Sequence, residues 1–222
     1  MRTIAILPVK QFGEAKQRLS DQMTAGARRA LAEAMFSDVL VALRRSEAVD
    51  AMVVVTGDHG AQRIAGGYGA MVIDDDERGH IPAAKHGVQA AIEADAERAL
   101  LVPGDCPLLD PKELDVLIAR PAPRRSALII PDRHGTGTNG LLLTPPASLT
   151  PSFGPGSAQR HAANAEADNL RHEIVEVASL ALDVDTAEDL VALRERLSVA
   201  HGGAAHTRGM LSQLVRSQDL TP

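Results

Sequence analysis

The feature that most constrains this sequence is an alternation of short apolar runs and helical patterns over residues 1–120. Four strand-like runs that end in turn residues occur at TIAILPV, DAMVVVTGD, GAMVIDDD and RALLVPGDCPLL. The longest helical pattern follows Thr24, where apolar residues recur every four positions at Leu31, Met35, Val39 and Leu43. Alternating strands and helices are typical of proteins with a parallel sheet. The sequence therefore predicts an α/β fold.

The alternation changes after residue 120. SALIIPD and NGLLLT are strand-like runs on either side of a glycine-rich loop, which predicts a hairpin or a crossing pair of strands. GSAQRHAANAEADN is helical, HEIVEV is a strand, and a final helix is capped by Thr186 with Asp189 three residues on. We expect one domain over residues 1–197. Residues 198–222 are expected to form a tail, with a mobile link and a short terminal helix or a contact in a homodimer.

Composition excludes several classes of function. A net charge of −6 provides no electrostatic attraction to nucleic acid or to anionic membranes, and 2% aromatic residues provide few stacking surfaces for bases. The single cysteine, Cys106, rules out an internal disulfide framework and fits a reducing compartment. No apolar run approaches the roughly 18 residues that a membrane span needs. We expect a cytoplasmic protein that binds neither nucleic acid nor membranes.

Polar residues follow the predicted parallel strands. Lys10, Thr56, residues 74–76 and Asp105 all come at or just after the end of a strand-like run. Open α/β sheets bind their ligands beyond the carboxyl ends of the strands. These residues are therefore the first candidates for a functional site.

Three aspartates are candidate metal ligands. Asp105 follows a strand on a glycine turn, where it either caps the next turn or places a carboxylate at the ligand edge for Mg²⁺ or a sugar hydroxyl. Asp183 and Asp185 alternate in an extended segment, so their carboxylates would share one side. Two carboxylates at such a short distance repel each other unless a cation lies between them. Asp185 could instead cap the following helix, although Thr186 can do that alone.

A basic loop follows the first strand. Lys10, Lys16 and Arg18 lie in KQFGEAKQRLS, which is either a solvated loop or a binding site for phosphates. Neither the Walker A pattern nor the dinucleotide-binding glycine pattern occurs in this turn. A phosphate-binding loop would therefore have to be of another kind.

Two glycine-rich stretches have the composition of ligand-binding loops. In DRHGTGTNGLLL, glycines beside hydroxyl and amide side chains suit the close approach of a polar group. Asp132, Arg133 and His134 at its start are expected to be rim or turn residues. In SFGPGSAQRH, Gly154 and Gly156 precede Ser157 at the start of a helix, where backbone N–H groups suit an anion. Simple N-capping by Ser157 is the alternative. His161, one turn later, is expected to face solvent and is assigned no role.

Nucleophilic catalysis is not supported. Cys106 stands before a proline and has no obvious histidine partner, and Ser157 lacks the G-x-S-x-G pattern of a nucleophile elbow. His201 and His206 make a poor metal site without a third ligand.

These motifs together resemble a known family. LPVKQFGEAKQRLS, PGDCPLL, GTGTNGLLL, SFGPGSAQRH and LDVDTAEDL occur in the order seen in the CofC/FbiD family, over residues 1 to about 197. Members are 2-phospho-L-lactate or phosphoenolpyruvate guanylyltransferases of coenzyme F-420 biosynthesis, related to the molybdenum-cofactor guanylyltransferase MobA. GTGTNGLLL and SFGPGS are fairly specific, whereas GDCPLL marks only the wider superfamily.

The resemblance implies a Rossmann-like nucleotidyltransferase domain of the GT-A type, a three-layer sandwich with a mixed, mostly parallel sheet. It implies a reaction of GTP with a small phosphorylated acid that releases pyrophosphate. Lys10, Lys16 and Arg18 would meet the triphosphate, and Asp105, Asp183 and Asp185 would hold Mg²⁺. Thr138, Gly154 and Ser157 would bind the phosphate of the acceptor. We add Asn139 and Gly156 to the acceptor pocket and Thr56 and Gly79 to the nucleotide site, with Lys16, Arg18 and Asp105 as catalytic residues.

One segment departs from the family pattern. Where members usually show G-L-N before a helix, this chain has Gly79-His80-Ile81-Pro82. The segment lies where a base or ribose could be recognised, so the base and the acceptor are left open. The alternatives are a related nucleotidyltransferase with another base or acceptor and a non-catalytic nucleotide sensor.

Overall fold

A central sheet organises this computed structural model, which describes residues 1–75, 79–200 and 202–217. Its strands in the described residues are β1 (Thr3–Pro8), β2 (Ala51–Val55), β3 (Met71–Ile73), β4 (Arg98–Leu101), β5 (Ser126–Pro131), β6 (Thr138–Thr144) and β7 (Arg171–Ile174). Their spatial order is β3-β2-β1-β4-β6-β5-β7. Only β6, among these strands, runs against its neighbours β4 and β5. The predicted hairpin is therefore confirmed, as β5 and β6.

Strand periodicity divides the core into two apolar layers. Ala5 and Leu7 of β1 pack into one buried cluster, and Ile4 and Ile6 pack into the other. Successive side chains of a strand point to opposite faces, so apolar residues at every position of β1 require cover on both sides. The sequence of β1 alone thus predicts helices on both faces of the sheet.

Helices cover both faces. In the described chain they are α1 (Ala25–Arg45), α2 (His59–Gly67), α3 (His80–Glu93), α4 (Pro111–Ile118), α5 (Ser157–Ala167), α6 (Ala187–Val199) and α7 (Ala205–Ser217). Helices α1, α2 and α4 pack into one cluster, and α3 and α5 pack into the other. A Cβ on Gly87 of α3 would lie 2.2 Å from Ile6 Cγ2, so only glycine allows α3 to approach β1 this closely. The result is a three-layer sandwich, as predicted.

Local signals account for several helix starts. Thr24 caps α1, and Asp110 caps α4 with Pro111 in its first turn. Thr186 and Asp189 form a reciprocal capping box at the start of α6. The capping box predicted at Thr186 and Asp189 is confirmed.

The expected terminal helix is present as α7. Its Leu211 and Leu214 join an apolar cluster with the outer side of α1 and with α6. Asp38 of α1 accepts hydrogen bonds from the backbone N–H groups of His206 (3.0 Å) and Thr207 (2.7 Å). The first turn of α7 is thus anchored by a buried carboxylate.

Two segments differ in detail from the sequence prediction. The loop KQFGEAKQRLS contains two short 3₁₀ turns, Phe12–Glu14 and Gln17–Leu19. The departing segment 79–82 begins α3, with Gly79 as its N-cap at a φ of 110°.

Among the described residues, none of the helices has both the length and the apolar composition that a membrane-spanning helix requires.

Candidate active site

The antiparallel strand β6 assembles the candidate site. Strands β1 and β4 are parallel to β5, so their carboxyl ends lie at one edge, and β6 begins there because it runs the other way. Lys16 follows β1, Asp105 follows β4, and Thr138 and Asn139 open β6. Side-chain contacts tie these segments to the stretch before α6 that holds Asp183 and Asp185.

Lys16 bridges two of the predicted metal ligands. Its ammonium donates to Asp105 Oδ2 and, at 2.9 Å, to Asp185 Oδ1. The lysine side chain is 5% exposed, while those of Asp105 and Asp185 are 26% and 53% exposed. Burial alone would lower the pKa of Lys16, but the two carboxylates outweigh it and raise that pKa. Lys16 is therefore a charged group that neutralises part of an acidic cluster.

Asp183 completes the acidic cluster from the side of β6. Burial and the charges of Asp105 and Asp185 raise its pKa, which a hydrogen bond from Asn139 opposes. Asn139 Nδ2 lies 3.0 Å from Asp183 Oδ1 and 2.9 Å from the carbonyl oxygen of Leu180. The amide of Asn139 thus holds one of the acids, a contact that its assignment to the acceptor pocket did not include.

Asp185 connects the acids to the basic loop. Burial would raise its pKa, but Lys16, Arg18 and Lys10 together lower it. All three predicted basic residues are therefore close enough to act on one carboxylate. Asp185 does not cap α6, because Thr186 and Asp189 do so, as the sequence indicated.

A partly buried ion pair braces the acidic segment. Arg133 Nη2 lies 2.7 Å from Asp189 Oδ1, and the other oxygen of Asp189 accepts from the backbone N–H of Asp185 at 3.0 Å. The sequence assigned Arg133 only to the rim or to a turn. Its partner is four residues from Asp185, and only the fold brings the loop after β5 to the start of α6. Asp132, by contrast, accepts from three backbone N–H groups of its own loop and is the predicted turn residue.

A second polar cluster lies around Thr138. Its Oγ1 is 2.9 Å from Ser157 Oγ and 3.1 Å from His161 Nδ1, and His161 Nε2 accepts from the backbone N–H of Ser152 at 2.9 Å. Ser157 is the first residue of α5 and makes no capping bond, so the N-capping alternative is wrong. His161 is fully buried, so its expected exposure to solvent is also wrong. Burial and the nearby Arg160 lower the pKa of His161 to about 4.

The loop before α5 is held in a fixed shape. Gly154 and Gly156 have φ angles of 113° and 68°, which glycine adopts without strain. The guanidinium of Arg160 donates to the carbonyl oxygens of Ser152 and Pro155. This arrangement turns the loop around the first turn of α5, beside Thr138.

A cleft lies on the other side of the basic loop. It has a volume of about 190 Å³, and its lining includes Lys10, Gly57, Asp75 and Gly79. Asp75 Oδ1 is buried and has no hydrogen-bond partner among the described residues. Thr56, also predicted for this site, is fully buried, and its hydroxyl accepts from the N–H of Asp58. Asp76, in the same predicted cluster, lies outside the described residues.

The acids have the donor chemistry of a Mg²⁺ site, since three carboxylates act on one another electrostatically and Lys16 directly pairs with two of them. In residues 1–75, 79–200 and 202–217, however, no group of three or more His, Cys, Asp or Glu side chains is arranged to hold a metal ion. The ammonium of Lys16 lies between Asp105 and Asp185, where a cation would bind. Asp105 and Asp185 thus already share one cationic partner, and carboxylate oxygens are the ligands that a Mg²⁺ ion would use.

Cys106 has the environment of a structural thiol. It is fully buried, and burial together with the charges of Asp105 and Asp183 raises its pKa well above the ordinary value. A neutral buried thiol is a poor nucleophile, which agrees with the sequence-based conclusion that Cys106 is not a catalytic nucleophile. His201 lies outside the described residues, and His206 Nε2 is 3.1 Å from the hydroxyl of Tyr68.

Comparisons with known proteins agree with this geometry. The family model "Guanylyl transferase CofC like" matches residues 3–219. A phosphoenolpyruvate guanylyltransferase of Conexibacter woesei is 55% identical over 98% of both chains. A 2-phospho-L-lactate guanylyltransferase of Methanothermobacter thermautotrophicus is 30% identical over 96% of this chain and 92% of its own. A 3-phospho-D-glycerate guanylyltransferase of Colwellia psychrerythraea is 32% identical over 86% of this chain and 90% of its own.

Solved structures share the fold. A crystal structure of a nucleotide-diphospho-sugar transferase from Desulfovibrio desulfuricans, described as putative in its own name, matches with a TM-score of 0.74 and 18% identity over 97% of this chain and 96% of that one. A nucleotidyl transferase from Methanothermobacter matches with a TM-score of 0.61 and 18% identity over 88% and 97%. The predicted nucleotidyltransferase fold is confirmed.

Proposed function

The chain belongs to the CofC-like guanylyl transferase family, and we propose that it transfers GMP from GTP to the phosphate of phosphoenolpyruvate. The observation that carries the proposal is the 55% identity to a phosphoenolpyruvate guanylyltransferase over 98% of both chains. Relatives that act on 2-phospho-L-lactate and 3-phospho-D-glycerate are 30% and 32% identical, so these phospho-acids are the alternative acceptors. As in the family that the motifs resemble, the product would serve coenzyme F-420 biosynthesis.

The reaction needs positioning and charge neutralisation more than acid–base chemistry. An oxygen of the acceptor phosphate attacks the α-phosphorus of GTP, and the bond from that phosphorus to the bridging oxygen of pyrophosphate breaks. The attacking oxygen is already anionic at neutral pH, so no proton has to be removed. Bringing two polyanions together is the main barrier, which positive groups lower.

The basic loop is proposed to bind the triphosphate. Lys16 is charged and nearly buried, and Arg18 and Lys10 act on the same carboxylate, Asp185. When the nucleotide binds, the ammonium of Lys16 would exchange a carboxylate for a phosphate oxygen. Lys16 and Arg18 would then stabilise negative charge that develops on the leaving pyrophosphate.

Asp105, Asp183 and Asp185 are proposed to hold Mg²⁺. When bound, the ion would supply positive charge to the phosphates and help to align them. Asn139 orients Asp183 through its 3.0 Å hydrogen bond. Asp189 orients the backbone at Asp185. Within this proposal Asn139 acts on a metal ligand as well as on the acceptor side of the site.

The cluster at Thr138 is proposed to bind the acceptor. Thr138 and Ser157 offer hydroxyl groups, and Gly154 and Gly156 have no side chains that would keep an anion away from the start of α5. The rigid loop fixes these donors before the ligand arrives, which reduces the entropic cost of binding.

The cleft at Lys10 and Gly79 is proposed to receive the nucleoside. The buried oxygen of Asp75 lacks a partner in the described part of the chain, and it is an acceptor for N–H groups on the edge of a guanine. Thr56 would act indirectly, because its hydroxyl shapes the turn that carries Gly57 into the cleft.

A pyrophosphate-release assay tests the proposal. The protein is incubated with Mg²⁺, with GTP, ATP, CTP or UTP in turn, and with phosphoenolpyruvate, 2-phospho-L-lactate or 3-phospho-D-glycerate. We expect the highest kcat/KM for GTP with phosphoenolpyruvate. Absence of turnover with every pair would favour a non-catalytic nucleotide sensor. Turnover with a different nucleotide would mean that the enzyme class is right and that only the proposed recognition of guanine in the cleft is wrong.

A further inference from the structure

His161 belongs to a chain of hydrogen bonds that has only one consistent direction. Its Nε2 accepts from the backbone N–H of Ser152 at 2.9 Å and therefore carries no hydrogen of its own. The ring is neutral, since burial and Arg160 lower the pKa of His161 to about 4. Its single N–H is therefore on Nδ1, and it donates to Thr138 Oγ1 at 3.1 Å.

The donation from His161 leaves one hydroxyl hydrogen of the Thr138–Ser157 pair without an acceptor in the described part of the chain. Thr138 and Ser157 are 2.9 Å apart, so one hydroxyl donates to the other. Thr138 cannot use its hydrogen on His161, because Nδ1 is already a donor. Whichever hydroxyl donates within the pair, the hydrogen of the other has no acceptor among the described residues.

The surroundings hold the ring in this state. Phe153 contacts it edge-on, with ring centroids 5.4 Å apart, and Arg160 fixes the carbonyl of Ser152 at 2.6 Å. Ser157 and His161 are both at most 1% exposed. Reversal of this hydrogen-bond direction would leave the partly buried backbone N–H of Ser152 without its acceptor, which is costly.

We propose that His161 is a positioning residue that makes the Thr138–Ser157 pair present one hydroxyl hydrogen to an anionic oxygen of the acceptor. The inference rests on the proposed function for the identity of that anion. Without the imidazole, either hydroxyl could satisfy the other or turn away, and the site would lose a fixed donor. The acceptor, rather than the nucleotide, would then bind more weakly.

Two amide substitutions separate this role from simple support of the loop. In His161→Asn the amide nitrogen can take the place of Nδ1 and donate to Thr138, while the acceptor for Ser152 is lost. In His161→Gln the amide oxygen can take the place of Nε2 and accept from Ser152, while the donor to Thr138 is lost. His172→Gln, on β7, is the matched control. Thermal unfolding confirms that each variant is folded.

The proposal expects His161→Gln to raise the KM for phosphoenolpyruvate about tenfold, the scale of one weakened hydrogen bond to a charged group, with the KM for GTP unchanged. His161→Asn should stay within about threefold of the wild type in both constants. The opposite order, with His161→Asn the poorer variant, would mean that His161 only supports the loop and would overturn the proposal.

Nitrogen NMR of the free protein provides a readout that does not depend on turnover. The proposal expects the His161 ring to be protonated on Nδ1 and not on Nε2 at neutral pH. An Nε2-protonated ring would refute the proposal even if the enzyme is active. A protein with the expected tautomer that turns over no phospho-acid would instead contradict the proposed function.

Discussion

Replacing Lys16 with methionine tests whether its ammonium occupies the place of a cation. The substitution keeps most of the side-chain volume but leaves Asp105 and Asp185 without their lysine. Removing one partner from a fully buried pair costs about 3–5 kcal/mol, whereas exposed pairs contribute at most about 1 kcal/mol. Lys16 is 5% exposed and its partners are 26% and 53% exposed, so we expect a loss of folding stability between these two limits.

We expect Lys16→Met to lower the free energy of unfolding by about 2 kcal/mol in the absence of divalent ions. For a domain of this size that corresponds to a fall in Tm of about 4–8 °C. Mg²⁺ at a hundredfold excess over its Kd would restore about 2.7 kcal/mol. The wild type should gain less from Mg²⁺, because the ion must first displace the ammonium from two carboxylates.

Differential scanning calorimetry with and without Mg²⁺ measures both effects. Lys112→Met, an exposed lysine on α4, is the control and should change stability by less than about 0.5 kcal/mol. The rate of pyrophosphate release from the Lys16 variant should stay about a hundredfold low even with Mg²⁺, because a donor to the phosphates is missing. A Mg²⁺-induced stabilisation no larger in Lys16→Met than in the wild type would show that the ammonium does not occupy the place of a divalent cation.

Three further predictions concern side chains around the site and the tail. Asn139→Leu removes the amide that holds Asp183, so pyrophosphate release in a coupled assay should fall about tenfold; an unchanged rate would contradict this role. The ordinary pKa of histidine is 6.5 and that of folded His161 is about 4, so the unfolded chain binds the proton first as the pH falls. Urea unfolding should therefore show up to about 3 kcal/mol of stability lost between pH 6.5 and 4, and His161→Asn should lack this component. Asp38→Ala removes the acceptor for two N–H groups of α7, so hydrogen exchange over residues 205–217 should accelerate about tenfold, with β1 unaffected.

Local patterns predicted much of the fold. The apolar runs of β1, β2 and β4, the helical pattern after Thr24 and the capping box at Thr186 and Asp189 depend on neighbouring residues, so the sequence alone was sufficient. The strand-end rule also predicted that Lys10 and Asp105 lie at one edge of the sheet, and they do, because the parallel strands β1 and β4 end together.

The partners of these residues could not be predicted in the same way. The contact between Arg133 and Asp189 joins positions 56 residues apart, and the contact between His161 and Thr138 joins α5 to the start of β6. No spacing in the sequence encodes either contact. The environment of Cys106 was easier to predict, since a thiol in an apolar strand end before a proline is usually structural.

One feature of the site could have been read from the sequence. Thr138 and Asn139 are neighbours in a strand, so their side chains point to opposite faces. In the structure Thr138 contacts Ser157 and His161, whereas Asn139 contacts Asp183. Strand alternation thus divides one motif between the proposed acceptor pocket and the acidic cluster.

Phosphorus NMR of a mixture of the protein, Mg²⁺, GTP and phosphoenolpyruvate detects the product of the proposed transfer itself. We expect two mutually coupled resonances of a new diphosphate that joins the guanosine and enolpyruvyl groups, together with an equal amount of pyrophosphate. Free GMP or GDP without such a diphosphate, or an unchanged spectrum with this acceptor, would contradict the proposed transfer.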